Sequence, residues 1–353
     1  MPLTKTQIKE IKTHLENAQN PLFLFDNDQD GLCSFLLLQR YVGRGKGFPI
    51  KGSPDLSLDF FRKVHEFNSD YIFVLDKPEI SKEFFEESMR MNIPLVWIDH
   101  HEIDRKKVPA FAHYYNPMFN KKKTDEPVTY LCWEIVEKIR KEDMWLAVAG
   151  CVSDHYFPEF YSDFKKNYPE LSVDRKDSFD IFYGSEIGKI ARLFGFGLKD
   201  KTSNVIQMMK FLMKVRSPQE VLYENKENKI MHKRFTEVGK KYDAFVKKAR
   251  AGVSDTDKYV FFKYAGDTSM SSEIANYLSY LFPDKYIIVA YTKNSRVNIS
   301  ARGEKVCDKL MKIISFMDNA TGGGHENAVG AQIDKDDLGF FEERVKEVFG
   351  IIL

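Results

Sequence analysis

Cysteine is scarce in this chain. The four present, Cys33, Cys132, Cys151 and Cys307, stand far apart and never form a C-x-x-C pair. That spacing argues against a thiolate zinc site and against a disulfide framework, and reduced thiols in a cytoplasmic protein are expected. Long apolar runs are missing as well: none approaches the roughly 18 residues that a membrane-spanning helix needs. The opening segment MPLTKTQIKEIKTHLENAQ is charged and lacks an apolar centre, so it is not expected to be a secretory signal. Net charge is almost absent, at +1 from 53 basic and 52 acidic residues. Attraction of the whole chain to nucleic acid is therefore not expected, and any polyanion site has to arise from local charge placement. Internal repeats and low-complexity tracts are also lacking.

What is present is enough for two domains. The chain has 353 residues, 43% of them hydrophobic and 14% aromatic, which is long for one domain and rich enough for packed cores. Three short apolar runs stand out: Leu22 to Phe25 after Pro21, Tyr71 to Leu75, and Leu95 to Ile98 after Pro94. Each has strand length, each ends on an aspartate (Asp26, Asp76, Asp99), and helical patterns follow over 32–42 and 81–91. Strands alternating with helices predict a parallel sheet covered on both faces. Ligands of such sheets bind at the carboxyl ends of the strands. The pattern therefore delivers aspartates from three strands to one sheet edge.

At the first of these strand ends, Asp26, Asp28 and Asp30 alternate with Asn27 and Gln29, and Gly31 follows. Crowded carboxylates repel one another, and a divalent cation removes that cost. Oxygen ligands suit Mg²⁺, Mn²⁺ or Ca²⁺, and an added imidazole shifts the preference toward Mn²⁺. For the triplet alone, a solvated acidic turn remains an equal alternative. An EF-hand calcium loop fails, because the position that needs a glutamate is Leu37. Asp99-His100-His101 lies at the same predicted edge, and Asp154 follows a helical stretch within 128–152. Two ions about 3.5–4 Å apart, held by a shared carboxylate with further carboxylates and a histidine, activate water for displacement at phosphorus.

The segment 185–251 is helical in pattern and rich in lysine. A second α/β unit is expected from about 258, with strands Tyr259–Lys263, Tyr286–Tyr291 and Arg296–Ser300, and helices over 271–281 and 337–348. Gly322-Gly323-Gly324 before His325 predicts a tight turn whose backbone could cradle a phosphate. Lys121–Lys123 and the lysines at 240, 241, 247 and 248 are expected to be solvated faces. Trp133 is expected in a core. His155 leaves a place in the site and a surface or packing role open, and Tyr156 and Phe157 leave packing and base stacking open.

Taken in order, these motifs resemble the DHH phosphoesterase superfamily with its DHH-associated C-terminal domain. Asp26-Asn-Asp-Gln-Asp-Gly31, Leu75-Asp76, Asp99-His100-His101 and Gly150-Cys-Val-Ser-Asp154 resemble four motifs of the catalytic domain. Gly322–His325 with Ala328 and Gly330 resembles the substrate motif of the C-terminal domain. Leu24 stands where the small-substrate branch carries a histidine, which favours the compact, archaeal-type RecJ-like branch.

The resemblance implies a doubly wound, mostly parallel DHH domain over 1–185, a helical connector over 186–255, and a smaller α/β substrate-binding domain over 256–353. It implies two divalent cations, Mn²⁺ before Mg²⁺, on Asp28, Asp30, Asp76, His100 and Asp154, with Asp76 bridging and Asp26 either a further ligand or a support behind the ligands. His101 would face the phosphate and Asp99 would orient a histidine. Ser300, Arg302, Gly322, Gly323, Gly324 and His325 would hold substrate, in a cleft between the domains. The implied activity is exonucleolytic hydrolysis of single-stranded DNA or RNA, or of short oligonucleotides. A phosphodiesterase of small nucleotides and a replication-complex partner protein are the alternatives. Replication or repair proteins are expected partners, without a membrane.

Overall fold

The structure, a computed structural model, describes residues 2–51 and 55–350. Residues 351–353, the last of the expected C-terminal domain, lie outside the described residues. The chain divides into two compact units, Met1–Phe235 and Thr236–Leu353.

The first unit carries strands β1 (Pro21–Asp26), β2 (Lys46–Ile50), β3 (Asp55–Leu56), β4 (Tyr71–Leu75), β5 (Glu79–Ile80), β6 (Leu95–Ile98) and β7 (His113–Tyr115). Five of them pair in parallel in the order β2-β1-β4-β6-β7, and β3 with β5 makes a separate two-stranded ribbon. The apolar runs explain the layering. Successive side chains of a strand point to opposite faces. Phe23, Phe25, Phe73, Leu75, Val96 and Ile98 join one core with Leu36, Leu131 and Leu146. Leu22, Leu24, Ile72, Val74, Leu95 and Trp97 join another with Phe61 and Phe84. Both faces are buried, as in a doubly wound sheet.

Two strands of the five-stranded parallel sheet are not among those the sequence predicts. β2 holds Pro49, which an edge strand tolerates because one side of it makes no ladder. β7 has three residues, too few to show alternation. From β1 the chain goes outward to β2 and then returns to β4 on the other side of β1, so the strand order reverses between β1 and β4. Such a reversal opens a crevice at the carboxyl ends.

The helix after β1 begins at Gln29, three residues before the expected Leu32, because Asp28 caps it: the carboxylate accepts from the Gly31 N–H at 2.9 Å. Residues 128–152 form two helices, Val128–Val136 and Met144–Ser153, and Trp133 is buried in the core. Within the stretch expected to connect the domains, helices Glu186–Leu198 and Thr202–Leu212 bury Ile187, Leu193, Phe194, Val205 and Leu212 in the first unit's main core. Arg40 ties this segment down. Its Nη1 donates to the carbonyls of Leu212 and Val215 at 3.0 and 2.7 Å, and its Nη2 lies 2.7 Å from Asp143 Oδ1.

The second unit has strands β8 (Tyr259–Ala265), β9 (Tyr286–Lys293), β10 (Arg296–Arg302), β11 (Thr321–His325) and β12 (Ala328–Asp334). They pair in the order β11-β12-β10-β9-β8, antiparallel except for β8 with β9. One core gathers Ile288, Val297 and Ile299 with Leu310, Ile313 and Phe341. Helix Ser271–Leu281 packs on β9 and β10 and buries Ile274, Ala275 and Leu278. The glycine run was expected as a tight turn. It pairs instead with β12 as an exposed edge strand. Among the described residues, no helix is long and apolar enough to cross a membrane.

Candidate metal centre

Strand register sets the site. Phe25 lies beside Leu75, and Leu75 beside Ile98. The next residues, Asp26, Asp76 and Asp99, therefore leave three neighbouring strands at one level. Asp76 turns sharply there, with φ at 58°, a left-handed conformation that aspartate tolerates better than most residues. Its N–H donates to Ile98 O at 3.0 Å. Gly31 allows the following helix to approach this edge: a Cβ at that position would fall 2.4 Å from Asp26 O.

Each remaining acid or imidazole is held by a separate element. Asp30 is buried, and its two carboxylate oxygens accept from the N–H groups of Val128 and Thr129 at 2.8 and 2.6 Å. A carboxylate is favoured at a helix N-terminus. Thr129 Oγ1 also donates to Asp30 O at 2.9 Å. The helix behind it can come close because Gly150 has no Cβ, which would meet Thr129 Oγ1 at 2.3 Å.

His100 is 4% exposed and its Nδ1 donates to Asp125 O at 3.0 Å. A carbonyl can only accept, so the proton sits on Nδ1 and Nε2 is left as a donor atom for a metal. That Nε2 lies 3.5 Å from Asp76 Oδ1 and 3.9 Å from Asp154 Oδ2. Asp154 caps the helix that ends at Ser153. His101 Nδ1 bonds Asp99 Oδ1 at 2.8 Å, and the fully buried Asp99 also accepts from Tyr114 Oη at 3.2 Å. Asn116 Nδ2 donates to Tyr114 Oη at 2.7 Å and to His101 O at 2.9 Å. Asp99 is thus an orienting anion behind His101.

The donor set fits divalent cations. Candidate ligand atoms of Asp30, Asp76 and His100 lie within 4.8 Å of one another, as do those of Asp26, Asp28 and Asp76. Ligands on one small cation stand about 3–4 Å apart, so modest side-chain rotation closes either group. Asp76 belongs to both groups, which is the geometry of a shared carboxylate.

Electrostatics agree with that chemistry. Burial, then the Asp30 and Asp28 charges, push the Asp76 carboxyl well above its ordinary range. Burial followed by Asp26 and Asp30 does the same to the half-buried Asp28. Asp154 is pushed up to about 6, first by burial. Its side chain is 41% exposed, so solvent screens part of that shift and the enclosed Asp76 governs. Burial opposes the charge on His100, but its bond to Asp76 and the charges of Asp154, Asp76 and Asp30 outweigh it and raise His100.

All four groups bind protons more tightly folded than unfolded. Their stabilisation is present below the unfolded values and is lost as pH rises through the raised ones. The EDTA-treated protein should therefore lose thermal stability between about pH 5 and 7.5. Because ligands must be deprotonated, the rise in Tm given by Mn²⁺ should grow over the same interval. Melting curves at half-unit pH steps check this, and a metal-free Tm that rises with pH would contradict it.

In the second unit, Ser300 Oγ is 3.0 Å from Ser271 Oγ and 3.3 Å from Ser272 Oγ. Two residues on, Arg302 Nε donates to Asn276 Oδ1 at 2.6 Å. Gly322, Gly323, Gly324 and His325 lie on exposed β11.

Residues 256–350 match the family model of the DHHA1 domain. RecJ from Thermus thermophilus in complex with Mn²⁺ superposes with a TM-score of 0.72 at 13% identity, over 99% of this chain and 55% of that one. The chain has the RecJ-like DHH fold. It spans about half the length of the Thermus protein. The exonuclease RecJ bound to manganese matches with a TM-score of 0.66 at 13% identity, over 100% of this chain and 97% of that one. CDC45 from Entamoeba histolytica shares the fold with a TM-score of 0.58 at 10% identity, over 98% and 99% of the two chains. No curated protein matches the sequence.

In that fold, the structure gathers the sequence-predicted residues of the first unit at one edge: Asp26, Asp28, Asp30, Asp76, Asp99, His100, His101 and Asp154. His155 turns away and stacks on Phe179 at 4.1 Å. Tyr114, Asn116, Thr129 and the Asp125 carbonyl had no signal in the sequence. Each acts through another site residue, and only tertiary packing brings it there.

Proposed function

We propose that this protein is a divalent-metal-dependent phosphodiester hydrolase of the RecJ type, acting from an end of single-stranded nucleic acid or short oligonucleotides. One observation carries it: Asp76 joins two groups of ligand atoms at the switch point of the sheet, one with Asp30 and His100, the other with Asp26 and Asp28. A shared carboxylate between two hard-ion positions suits in-line displacement at phosphorus. Asp154 completes the ligand set. Structures of RecJ with Mn²⁺ and Mg²⁺ support those ions, and Mn²⁺ is the first choice because an imidazole is among the ligands. When bound, such ions lower the pKa of water and neutralise charge at the phosphate.

The protein groups then orient and move protons. Asp99 holds His101 by Nδ1, which directs Nε2 to hydrogen-bond or protonate a phosphate or leaving oxygen. Ser300, Arg302, the β11 backbone and His325 supply donors that suit a phosphate. The expected arrangement is a DHH domain over 1–185, a connector over 186–255 and a substrate-binding domain over 256–353. The free, mostly buried cysteines suit a reducing cytoplasmic setting.

The similarity to CDC45 raises a second reading, a structural partner in a replication or repair complex. The full set of metal-type ligands favours hydrolysis over it.

The deciding experiment is Mn²⁺-dependent cleavage of end-labelled single-stranded DNA and RNA, from dimers to about thirty nucleotides, beside a cyclic dinucleotide. Stepwise shortening of long strands from one end is expected. Cleavage confined to dimers or to the cyclic dinucleotide would move the activity to small nucleotides. No cleavage of any of them, with metal bound, would favour the partner role.

A further inference from the structure

The residue after Asp76 is a lysine, and it does not face solvent. Lys77 is 1% exposed, and its Nζ lies 2.9 Å from Asp26 Oδ1. Its backbone is fixed as well, because Trp97 Nε1 donates to Lys77 O at 2.9 Å. The left-handed turn at Asp76 thus sends two consecutive side chains to the same edge: a carboxylate shared by both ligand groups, and an ammonium against one of them. A buried ammonium is tolerated only beside a counter-charge, and Asp26 supplies it. Enclosure at this level, with a partner already engaged, makes Lys77 a fixed part of the site rather than a mobile substrate ligand.

The two ligand groups therefore differ. Asp26, the carboxylate paired with Lys77, is not one of Asp30, Asp76 and His100. Asp26, Asp28 and Asp76 include Asp26, whose charge Lys77 already offsets. Charge counting points the same way. In the deprotonated state that metal binding requires, Asp26, Asp28, Asp30, Asp76 and Asp154 carry five negative charges, and Lys77 leaves four. A first divalent ion then leaves two to draw a second ion, where three would remain without the lysine. Repulsion between the ammonium and a dication a few ångströms away acts locally on the Asp26 side and falls off with distance.

We propose that Lys77 is a resident cation of the metal centre that makes its two ion positions unequal: a tight one on Asp30, Asp76 and His100, and a weak, exchangeable one on Asp26, Asp28 and Asp76. This rests on the metal-centre reading above and adds an order of occupancy to it. The weak ion is loaded only at high metal concentration or together with a substrate phosphate, whose negative charge offsets Lys77. The lysine thereby couples completion of the centre to the presence of substrate.

The test is Mn²⁺ binding to the EDTA-stripped full chain at pH 7.5, followed by calorimetry and by metal content after gel filtration. The wild-type protein should retain one Mn²⁺ through the column and bind a second about a hundredfold or more weaker. Lys77→Met should tighten the second step about tenfold or more and leave the first within about threefold, because it removes like charge only on the Asp26 side. Lys77→Gln keeps a donor for Asp26, serves if the methionine variant does not fold, and should behave alike. Two equally tight ions in the wild-type protein, or a second step unchanged or weakened in the Lys77 variants, would overturn the inference while leaving the metal centre standing. Absence of any Mn²⁺ binding would overturn both.

Discussion

Asp76→Asn is expected to lower Mn²⁺-dependent phosphodiester hydrolysis by at least about a thousandfold, roughly 4 kcal/mol of transition-state stabilisation at 1.36 kcal/mol per decade. Asp76 is the carboxylate common to both ligand groups, so its loss weakens both ion positions at once. Asparagine is the informative replacement. It accepts the left-handed backbone at φ 58°, where alanine would add strain and confuse a folding defect with a catalytic one. The metal-free variant should melt no lower than the wild type near pH 8, because burial and the Asp30 and Asp28 charges disfavour the anion that is removed. Turnover and metal content, measured with thermal melting, separate these effects. Unchanged turnover would sink the assignment of a shared carboxylate.

The second large effect lies in the scaffold. Asp143→Ala should destabilise the first unit by about 3–5 kcal/mol, because it strands a buried guanidinium. The Arg40 and Asp143 side chains are 6% and 0% exposed and pair at 2.7 Å. Arg140 Nε also donates to Asp143 Oδ2 at 2.9 Å. Arg40 bonds the carbonyl that ends helix Thr202–Leu212 and that of Val215 just beyond it, so losing its counter-charge loosens the packing of 202–215. A fall in Tm of about 10 °C is expected for a unit of this size. Limited proteolysis should show early cleavage within 199–217. A variant that melts within a degree of wild type would show that this pair contributes specificity instead of stability. Hydrolysis per folded molecule should be unchanged at low temperature, since Asp143 is not among the candidate ligands.

Several features of this protein are written locally and were legible at once. Apolar runs of strand length ending on aspartate gave β1, β4 and β6 and the edge at which Asp26, Asp76 and Asp99 emerge. A continuous apolar run of strand length is recognisable without its partners, because a sheet covered on both faces buries every side chain of the strand. Helix starts were less legible. Asp28 looked like one of three equivalent acids, yet it is the N-cap of Gln29–Val42, because a cap and a ligand use the same residue type. Short edge strands escaped entirely: β2 carries a proline, and β7 is too short to alternate. The glycine run illustrates the same limit. Its composition permits a tight turn or a strand, and only pairing of Gly323 with Gly330 decides between them.

By itself, then, the sequence determined which residues could carry metal chemistry and that three strands would present them together, since the length of an apolar run and the residue that ends it are local properties. Tertiary structure decided how those residues are used. Asp30 is turned to the amides of Val128 and Thr129, His100 to the Asp125 carbonyl, His101 to Asp99, and Lys77 to Asp26. Each of these choices pairs a donor with an acceptor brought in by another element or turn. Buried polar groups take whichever partner packing brings within about 3 Å, and no local pattern encodes that distance.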